Sequence, residues 1–237
     1  MRVIELREKQ LEIALIRSAI CGDLLSDEQK LLYNAEILLQ IAKIAKKHDV
    51  LHLLVLGLKK NELLDKNIKQ FEMELFKTVY RYERLNYELK QVCKALEEAQ
   101  IPFVPLKGSV IKMYYPEPWM RTSCDIDVLV HREDLENTIS YLVSNHNYVE
   151  KERATHDVSL FTQTGIHVEL HFDLVEEGRA KNAIDVLQAV WENATLHENS
   201  EYWYEMTDAY FYFYHIAHMS KHFENGGCGC VSSDHEV

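Results

Sequence analysis

The first hundred residues carry apolar side chains at steps of three and four, which is the spacing of one helix face. One series follows Ser26-Asp27-Glu28-Gln29, a segment typical of a helix N-terminus. That series consists of Leu31, Leu32, Ala35, Leu38, Leu39, Ala42 and Ala45. A second series runs from Ile68 to Ala99 without Gly or Pro and predicts one long amphipathic helix. We interpret both series as core-facing stripes and expect residues 1–100 to form a helical region.

After Pro102 the pattern changes to short extended runs between shorter helical ones. Residues 103–106 predict a strand, and the segment after Gly108 predicts a helix over 110–115. Further strands are predicted at 124–130, 148–150, 158–162 and 167–172, and further helices at 134–144, 183–191 and 209–223. The pattern therefore predicts an α+β fold in three consecutive regions. These are the helical N-terminal region 1–100, the α/β core 101–175 and the helical C-terminal region 176–237.

Asp125 and Asp127 lie two positions apart inside an otherwise apolar segment. In a strand their side chains share one face, while the apolar residues around them bury the other face. Two ionised carboxylates held side by side repel each other, and a hard divalent cation with oxygen ligands would relieve that repulsion. The alternative is that the pair only begins a solvated strand. This segment is the first candidate for chemistry.

Two further elements accompany the aspartate pair. Lys107-Gly108-Ser109 stands at a strand-to-helix turn, where a glycine allows close backbone approach and a helix N-terminus favours an anion. Taken alone, such a turn has no necessary function. Glu169 stands between two apolar residues, and a buried carboxylate is costly unless it is paired or coordinated. Its alternative partners are arginines such as Arg121 and Arg153.

Together these elements resemble the nucleotidyltransferase superfamily related to DNA polymerase β. Its pattern is a Gly-Ser turn that opens a helix, an Asp-x-Asp strand and a third acid on a later strand. More closely, the chain resembles the bacterial group of uncharacterised nucleotidyltransferases. The matching residues are Leu106-Lys107-Gly108, Arg121, Asp125 to Val130, and Glu169-Leu170-His171. The resemblance, strongest over 101–175, implies a polymerase-β-like core with a mixed sheet, flanked by N- and C-terminal helices.

The resemblance also implies an enzyme that moves a nucleoside monophosphate group from a nucleoside triphosphate to an acceptor hydroxyl. Asp125, Asp127 and Glu169 would be its catalytic residues. The same three would bind two Mg²⁺ ions, with Mn²⁺ as the alternative cation.

The residues implied to bind the nucleotide are Lys107, Gly108, Ser109 and Arg121. His171 and His156 are accessory candidates near the acids. For His171, the alternative is a half-buried strand histidine without a role.

Two features depart from the resemblance. The stretch from Ser109 to Asp125 is longer than in compact superfamily members, and we expect a loop around Pro116 and Pro118 to absorb the excess. The sequence stops soon after a Gly-Gly-Cys-Gly-Cys segment, so we expect a truncated or altered C-terminal region with reduced activity.

Composition limits the partners. Of 237 residues, 47% are apolar, as in a globular protein, and the formal net charge is -12. That charge argues against broad binding to nucleic acid or anionic membranes, so a small molecule or a protein is the favoured acceptor. No apolar run is long enough to span a bilayer, and no signal peptide is visible. Five cysteines without framework spacing predict reduced thiols and a cytoplasmic protein.

Three rival interpretations stay open at the level of sequence. The first is a zinc site built from His218, His222, Cys228 and Cys230. The second is a non-catalytic nucleotide-sensing or protein-interaction module with a degenerate core. The third is a Mg²⁺-dependent phosphohydrolase, which product identity would distinguish from a transferase.

Overall fold

The computed structural model describes residues 2–64, 69–175 and 181–224, which pack into two compact units. The first unit contains the described residues up to Glu83 together with 112–122, and the second contains 84–111 and the described residues from Ser123 onward. The predicted α+β fold with a mixed sheet is confirmed. Within the described ranges, no helix has the length and apolar character needed to cross a membrane. The division at residues 100 and 175 stays a prediction.

The first unit is helical. Its helices are α1 (Arg2–Cys21), α2 (Asp27–Lys30), α3 (Ala35–Lys47), α4 (Leu51–Lys60) and the first half of α5 (Lys69–Glu98). Ser26 caps α2 in a capping box with Gln29, as the sequence predicts. The series that begins at Leu31 is nevertheless interrupted, because Asn34 starts a new helix by accepting a hydrogen bond from the backbone N–H of Ile37.

The long stretch between Ser109 and Asp125 is anchored in this first unit through residues 112–122. The buried ring of His52 has Nε2 2.9 Å from the backbone oxygen of Met120. Thr122 Oγ1 donates to the backbone oxygen of Asp49 at 3.4 Å. The extra length is therefore a packed segment rather than a bare loop.

The second unit is built on a five-stranded sheet. Its strands are β1 (Phe103–Pro105), β2 (Asp125–Val130), β3 (Val149–Arg153), β4 (Asp157–Phe161) and β5 (His167–His171). Their order is β1-β2-β5-β4-β3, in which β2 and β5 are parallel and the other neighbours antiparallel. A separate hairpin pairs β6 (Ala194–Leu196) with β7 (Tyr204–Met206), strands of three residues that the sequence pattern does not reveal.

With the exception of α6 (Gly108–Ile111), the remaining helices of the second unit lie close to the predicted positions. They are α7 (Leu135–His146), α8 (Lys181–Gln188), α9 (Asp208–Glu224) and the second half of α5. The helix predicted over 110–115 is wrong in extent. It begins two residues earlier, and a 3₁₀ turn, Lys112–Tyr114, replaces its second half. Pro116 disfavours helical backbone at Tyr115, so it limits the segment there but does not explain the end of α6 at Ile111.

The two faces of the sheet differ in character. One face packs on α5 and α7. Val128 and Leu170 of the sheet belong to the same buried apolar cluster as Leu96 of α5 and Ile139 of α7. The other face carries an apolar patch against α8 and α9, formed by residues such as Val104, Leu129, Leu187 and Tyr214. Strand alternation places Asp125, Asp127 and Glu169 on this second face, next to the patch.

Candidate active site

Three carboxylates meet on one face of the β2–β5 pair. Asp127 lies opposite Glu169 in the parallel register, and Asp125 lies opposite His167. One ligand atom each from Asp127, Glu169 and His171 lie within 4.8 Å of one another, and so do those from Asp125, His167 and Glu169. The fold therefore brings the three predicted acids together, and Glu169 belongs to both clusters.

Asp127 is the buried centre of this arrangement, with 2% of its surface exposed. Its Oδ1 accepts hydrogen bonds from Lys107 Nζ at 2.7 Å and from His171 Nε2 at 2.9 Å. Burial by itself would raise the pKa of Asp127, but the hydrogen bond from His171 and the charge of Lys107 outweigh it and lower that pKa. Asp127 is therefore held as a carboxylate.

Lys107 reaches the carboxylates from the sharp turn between β1 and α6. Its φ of 42° lies in the left-handed region, which is uncommon for a residue other than glycine. The backbone N–H of Leu106 donates to the backbone oxygen of Asp127 at 2.9 Å and ties the turn to β2. Burial lowers the pKa of Lys107, but Asp127 and then Tyr214 raise it by more, so the ammonium stays charged. Its Nζ lies 3.9 Å from Oε2 of Glu169.

Gly108 has a packing reason to be glycine. A Cβ at this buried position would lie 2.7 Å from Oγ of Ser123. That hydroxyl donates to the backbone oxygen and to Oδ1 of Asp125, at 3.2 Å each. The backbone N–H of Ser109 donates to Leu106 within the turn at 3.1 Å. The nucleotide-binding roles of Gly108 and Ser109 stay predictions.

The electrostatics of Asp125 favour a cation. Burial raises its pKa, and the neighbouring charges of Asp127 and Glu169 raise it further, against smaller opposing effects of Lys107 and Ser123. Carboxylate oxygens are the donors that Mg²⁺ and Mn²⁺ prefer, and a bound divalent cation would offset this crowding of negative charge. The donor set of the site therefore fits the predicted metal.

Both predicted histidines lie beside the acids. Nε2 of the buried His171 is 3.3 Å from Oε2 of Glu169, in addition to its bond to Asp127. Burial lowers the pKa of His171, but its hydrogen bonds to Asp127 and Glu169 raise it by more. The ring of His156 lies 5.8 Å from that of His171, and its Nε2 is 2.9 Å from Oδ2 of Asp157.

Other residues enter the site through strand pairing. The alternation of β5 predicts His167 on the face of Glu169, but assigns it no partner. The register of β4 with β5 sets Ser159 opposite Glu169 and Asp157 opposite His171. The register between these strands depends on tertiary packing, so no signal in the sequence marks Ser159 or Asp157.

Of the two arginines considered as partners of Glu169, Arg153 has other partners. Arg153 pairs instead with Glu136 and Glu150, and Glu169 lies near Lys107. Arg121 belongs to the 112–122 segment of the first unit, so its nucleotide-binding role stays a prediction.

The zinc alternative is not tested. The side chain of His222 and both cysteines of the proposed set, Cys228 and Cys230, lie outside the described residues.

The comparisons with known proteins agree with the geometry. Residues 38–232 match the family described as uncharacterised nucleotidyltransferase. Neither a curated protein nor a solved structure matches the chain. The family's description indicates transfer of a nucleotidyl group, and so implies a nucleoside triphosphate as substrate. Because the matched range covers most of the chain and includes the whole five-stranded sheet with its acids, the chain belongs to the uncharacterised nucleotidyltransferase family.

Proposed function

We propose that this protein is a Mg²⁺-dependent nucleotidyltransferase that moves a nucleoside monophosphate from a nucleoside triphosphate to an acceptor hydroxyl. The observation that carries the proposal is the register of β2 with β5, which sets Asp127 opposite Glu169 and leaves Asp125 on the same face. Family membership supports the same reaction class.

In this proposal Asp125, Asp127 and Glu169 hold the divalent cations. Bound at these residues, the ions would supply positive charge to the triphosphate and would lower the pKa of the acceptor hydroxyl in a two-metal arrangement. The support is that carboxylates of all three residues belong to clusters whose ligand atoms lie within 4.8 Å of one another. Mn²⁺ has similar ligand preferences and is the alternative cation.

Lys107 and His171 organise the carboxylates. Both donate to Oδ1 of Asp127, at 2.7 and 2.9 Å, and so hold that side chain in one orientation. Lys107 also places a positive charge where the triphosphate would approach the acids. A lysine ammonium has three donors, which allows it to keep a carboxylate contact while it binds a phosphate oxygen.

The reaction exchanges one P–O bond for another. The acceptor oxygen bonds to the α-phosphorus, the bond from that phosphorus to the α,β-bridging oxygen breaks, and pyrophosphate leaves. The acceptor proton passes to a base, for which Glu169 is our candidate because 23% of its side chain is accessible, against 3% of that of Asp127. The net charge of -12 favours a small molecule or a protein over nucleic acid as acceptor.

The test uses triphosphates labelled at the α-phosphate, with Mg²⁺ or Mn²⁺ and a cell extract as the source of acceptors. We expect pyrophosphate and a nucleotidylated product, detected by its added mass. Asp125→Asn should lower the rate by at least about a hundredfold. The control is Asp185→Asn, which changes an exposed aspartate of α8 in the same unit.

Each rival predicts a different outcome. A phosphohydrolase would release inorganic phosphate and nucleoside diphosphate, and a nucleotide sensor would bind triphosphate without turnover. Either result, or full activity of Asp125→Asn, would refute the proposed transfer.

A further inference from the structure

In His167, the ring nitrogen Nε2 contacts a neighbouring strand, while the other ring nitrogen, Nδ1, faces the carboxylates. Its Nε2 lies 3.0 Å from Oγ of Ser159 on the neighbouring strand. Its ring stacks on Phe161 with centroids 4.6 Å apart and planes 11° from parallel. These contacts fix the ring position, and they leave Nδ1 as the nitrogen that is directed at Glu169, 3.9 Å from its Oε1.

That separation suits two ligands of one cation better than it suits a hydrogen bond. A donor–acceptor distance of 3.9 Å is too long for a hydrogen bond. Two ligands that each lie about 2.1 Å from an octahedral cation are about 3.0 Å apart when adjacent and about 4.2 Å apart when opposite. Asp125 completes the set, since one ligand atom each of Asp125, His167 and Glu169 lie within 4.8 Å of one another.

His171 behaves differently and provides the contrast. Its Nε2 lies 2.9 Å from Oδ1 of Asp127 and 3.3 Å from Oε2 of Glu169. Both distances are those of hydrogen bonds, so this nitrogen carries a proton that it donates to the carboxylates. While Nε2 of His171 donates these hydrogen bonds it offers no lone pair to a metal, so we assign His171 as a positioning residue.

We propose that Nδ1 of His167 is a ligand of the divalent cation held by Asp125 and Glu169, with Ser159 Oγ accepting a hydrogen bond from Nε2–H. This inference rests on the proposed function, which supplies the cation. Metal-binding histidines usually donate their second ring N–H to an oxygen that fixes the tautomer, and Ser159 Oγ is placed to accept it. An imidazole among carboxylates shifts preference away from Mg²⁺ and toward Mn²⁺ and later first-row metals.

The experiment adds Mn²⁺ alone to the full-length protein, without nucleotide, and follows it by electron paramagnetic resonance. Loss of the free-ion signal gives the affinity, and pulsed measurements detect ¹⁴N coupled to bound Mn²⁺. We expect ¹⁴N coupling in the wild type that changes to ¹⁵N coupling after histidine-specific labelling. This readout does not depend on any variant folding.

Variants identify which imidazole is responsible. His167→Gln should lose the nitrogen coupling and weaken Mn²⁺ binding by at least about tenfold, with a smaller loss for Mg²⁺. Ser159→Ala should weaken Mn²⁺ binding by about tenfold and keep the coupling, because it removes only the oxygen that orients the ring. The control is His171→Gln, which removes the buried imidazole beside Asp127 and should retain the coupling.

The outcomes separate this inference from the function on which it rests. Bound Mn²⁺ without nitrogen coupling in a protein that still transfers nucleotides overturns the role of His167 alone. Nitrogen coupling that persists in His167→Gln would also overturn the role of His167 and leave the proposed transfer reaction unaffected. Failure of the wild type to bind Mn²⁺ at all would overturn both this inference and the metal-dependent transfer.

Discussion

Replacing Gly108 with alanine should destabilise the protein through the side chain of Ser123. The new Cβ would stand 2.7 Å from Oγ and 3.4 Å from Cβ of Ser123, and only the first of these contacts is too short to keep. The hydroxyl must therefore rotate away from Asp125. It then loses its hydrogen bonds to the backbone oxygen and to Oδ1 of that residue, both at 3.2 Å.

The size of the effect follows from these two contributions. Losing the hydrogen bonds of one hydroxyl, one of them to a carboxylate, costs about 1–2 kcal/mol. Alanine at the first residue of α6 returns at most about 1 kcal/mol through helix propensity. In the Ser123→Ala background the hydroxyl is absent, so Gly108→Ala should bring only the gain in helix propensity. The two substitutions should therefore be coupled by about 1–2 kcal/mol.

The assay is a double-mutant cycle by urea denaturation of the wild type, Gly108→Ala, Ser123→Ala and the double variant. The control is Gly165→Ala, where φ is 79° and a Cβ would meet no atom within 4 Å. Its strain should cost about 1 kcal/mol and add independently to Ser123→Ala. Additivity of Gly108→Ala and Ser123→Ala within about 0.5 kcal/mol would refute the proposed contact.

Three further predictions concern stability. Gly57→Ala should cost at least about 3 kcal/mol because its Cβ would lie 2.1 Å from the backbone oxygen of Leu15 in the α1–α4 contact; an unchanged midpoint of urea unfolding would contradict this. Burial lowers the pKa of His52, against the opposing hydrogen bond to Met120, so the folded state resists its protonation. The free energy of unfolding should therefore decrease as the pH drops below about 6.5. Measured by urea denaturation between about pH 7.5 and about pH 5.5, this decrease should be smaller in His52→Gln than in the wild type. An equal dependence on pH in the two proteins would exclude His52 as the cause. Glu97 accepts hydrogen bonds from three successive backbone N–H groups at residues 201–203. The Glu97→Ala variant should have a free energy of unfolding about 2 kcal/mol lower in the same denaturation assay. A decrease below about 0.5 kcal/mol would show that these three hydrogen bonds contribute little to stability.

Much of the fold could be predicted from local patterns. The long helix α5 follows from an uninterrupted series of apolar steps, and β5 from alternation around Glu169. Where prediction failed, local chemistry competed with periodicity. Asn34 starts a new helix inside an apolar series. The strands of the β6–β7 hairpin have only three residues each and are too short to show a period.

The candidate site likewise has features that the sequence predicts and features that only the tertiary structure determines. The sequence by itself determined the types and faces of Asp125, Asp127 and Glu169, because alternation along one strand needs no partner. Only the tertiary structure decided that the acids of β2 lie opposite Glu169, that Lys107 binds Asp127, and that Ser159 holds His167. These contacts depend on the register and order of strands, which are set by burial of both sheet faces over the whole unit.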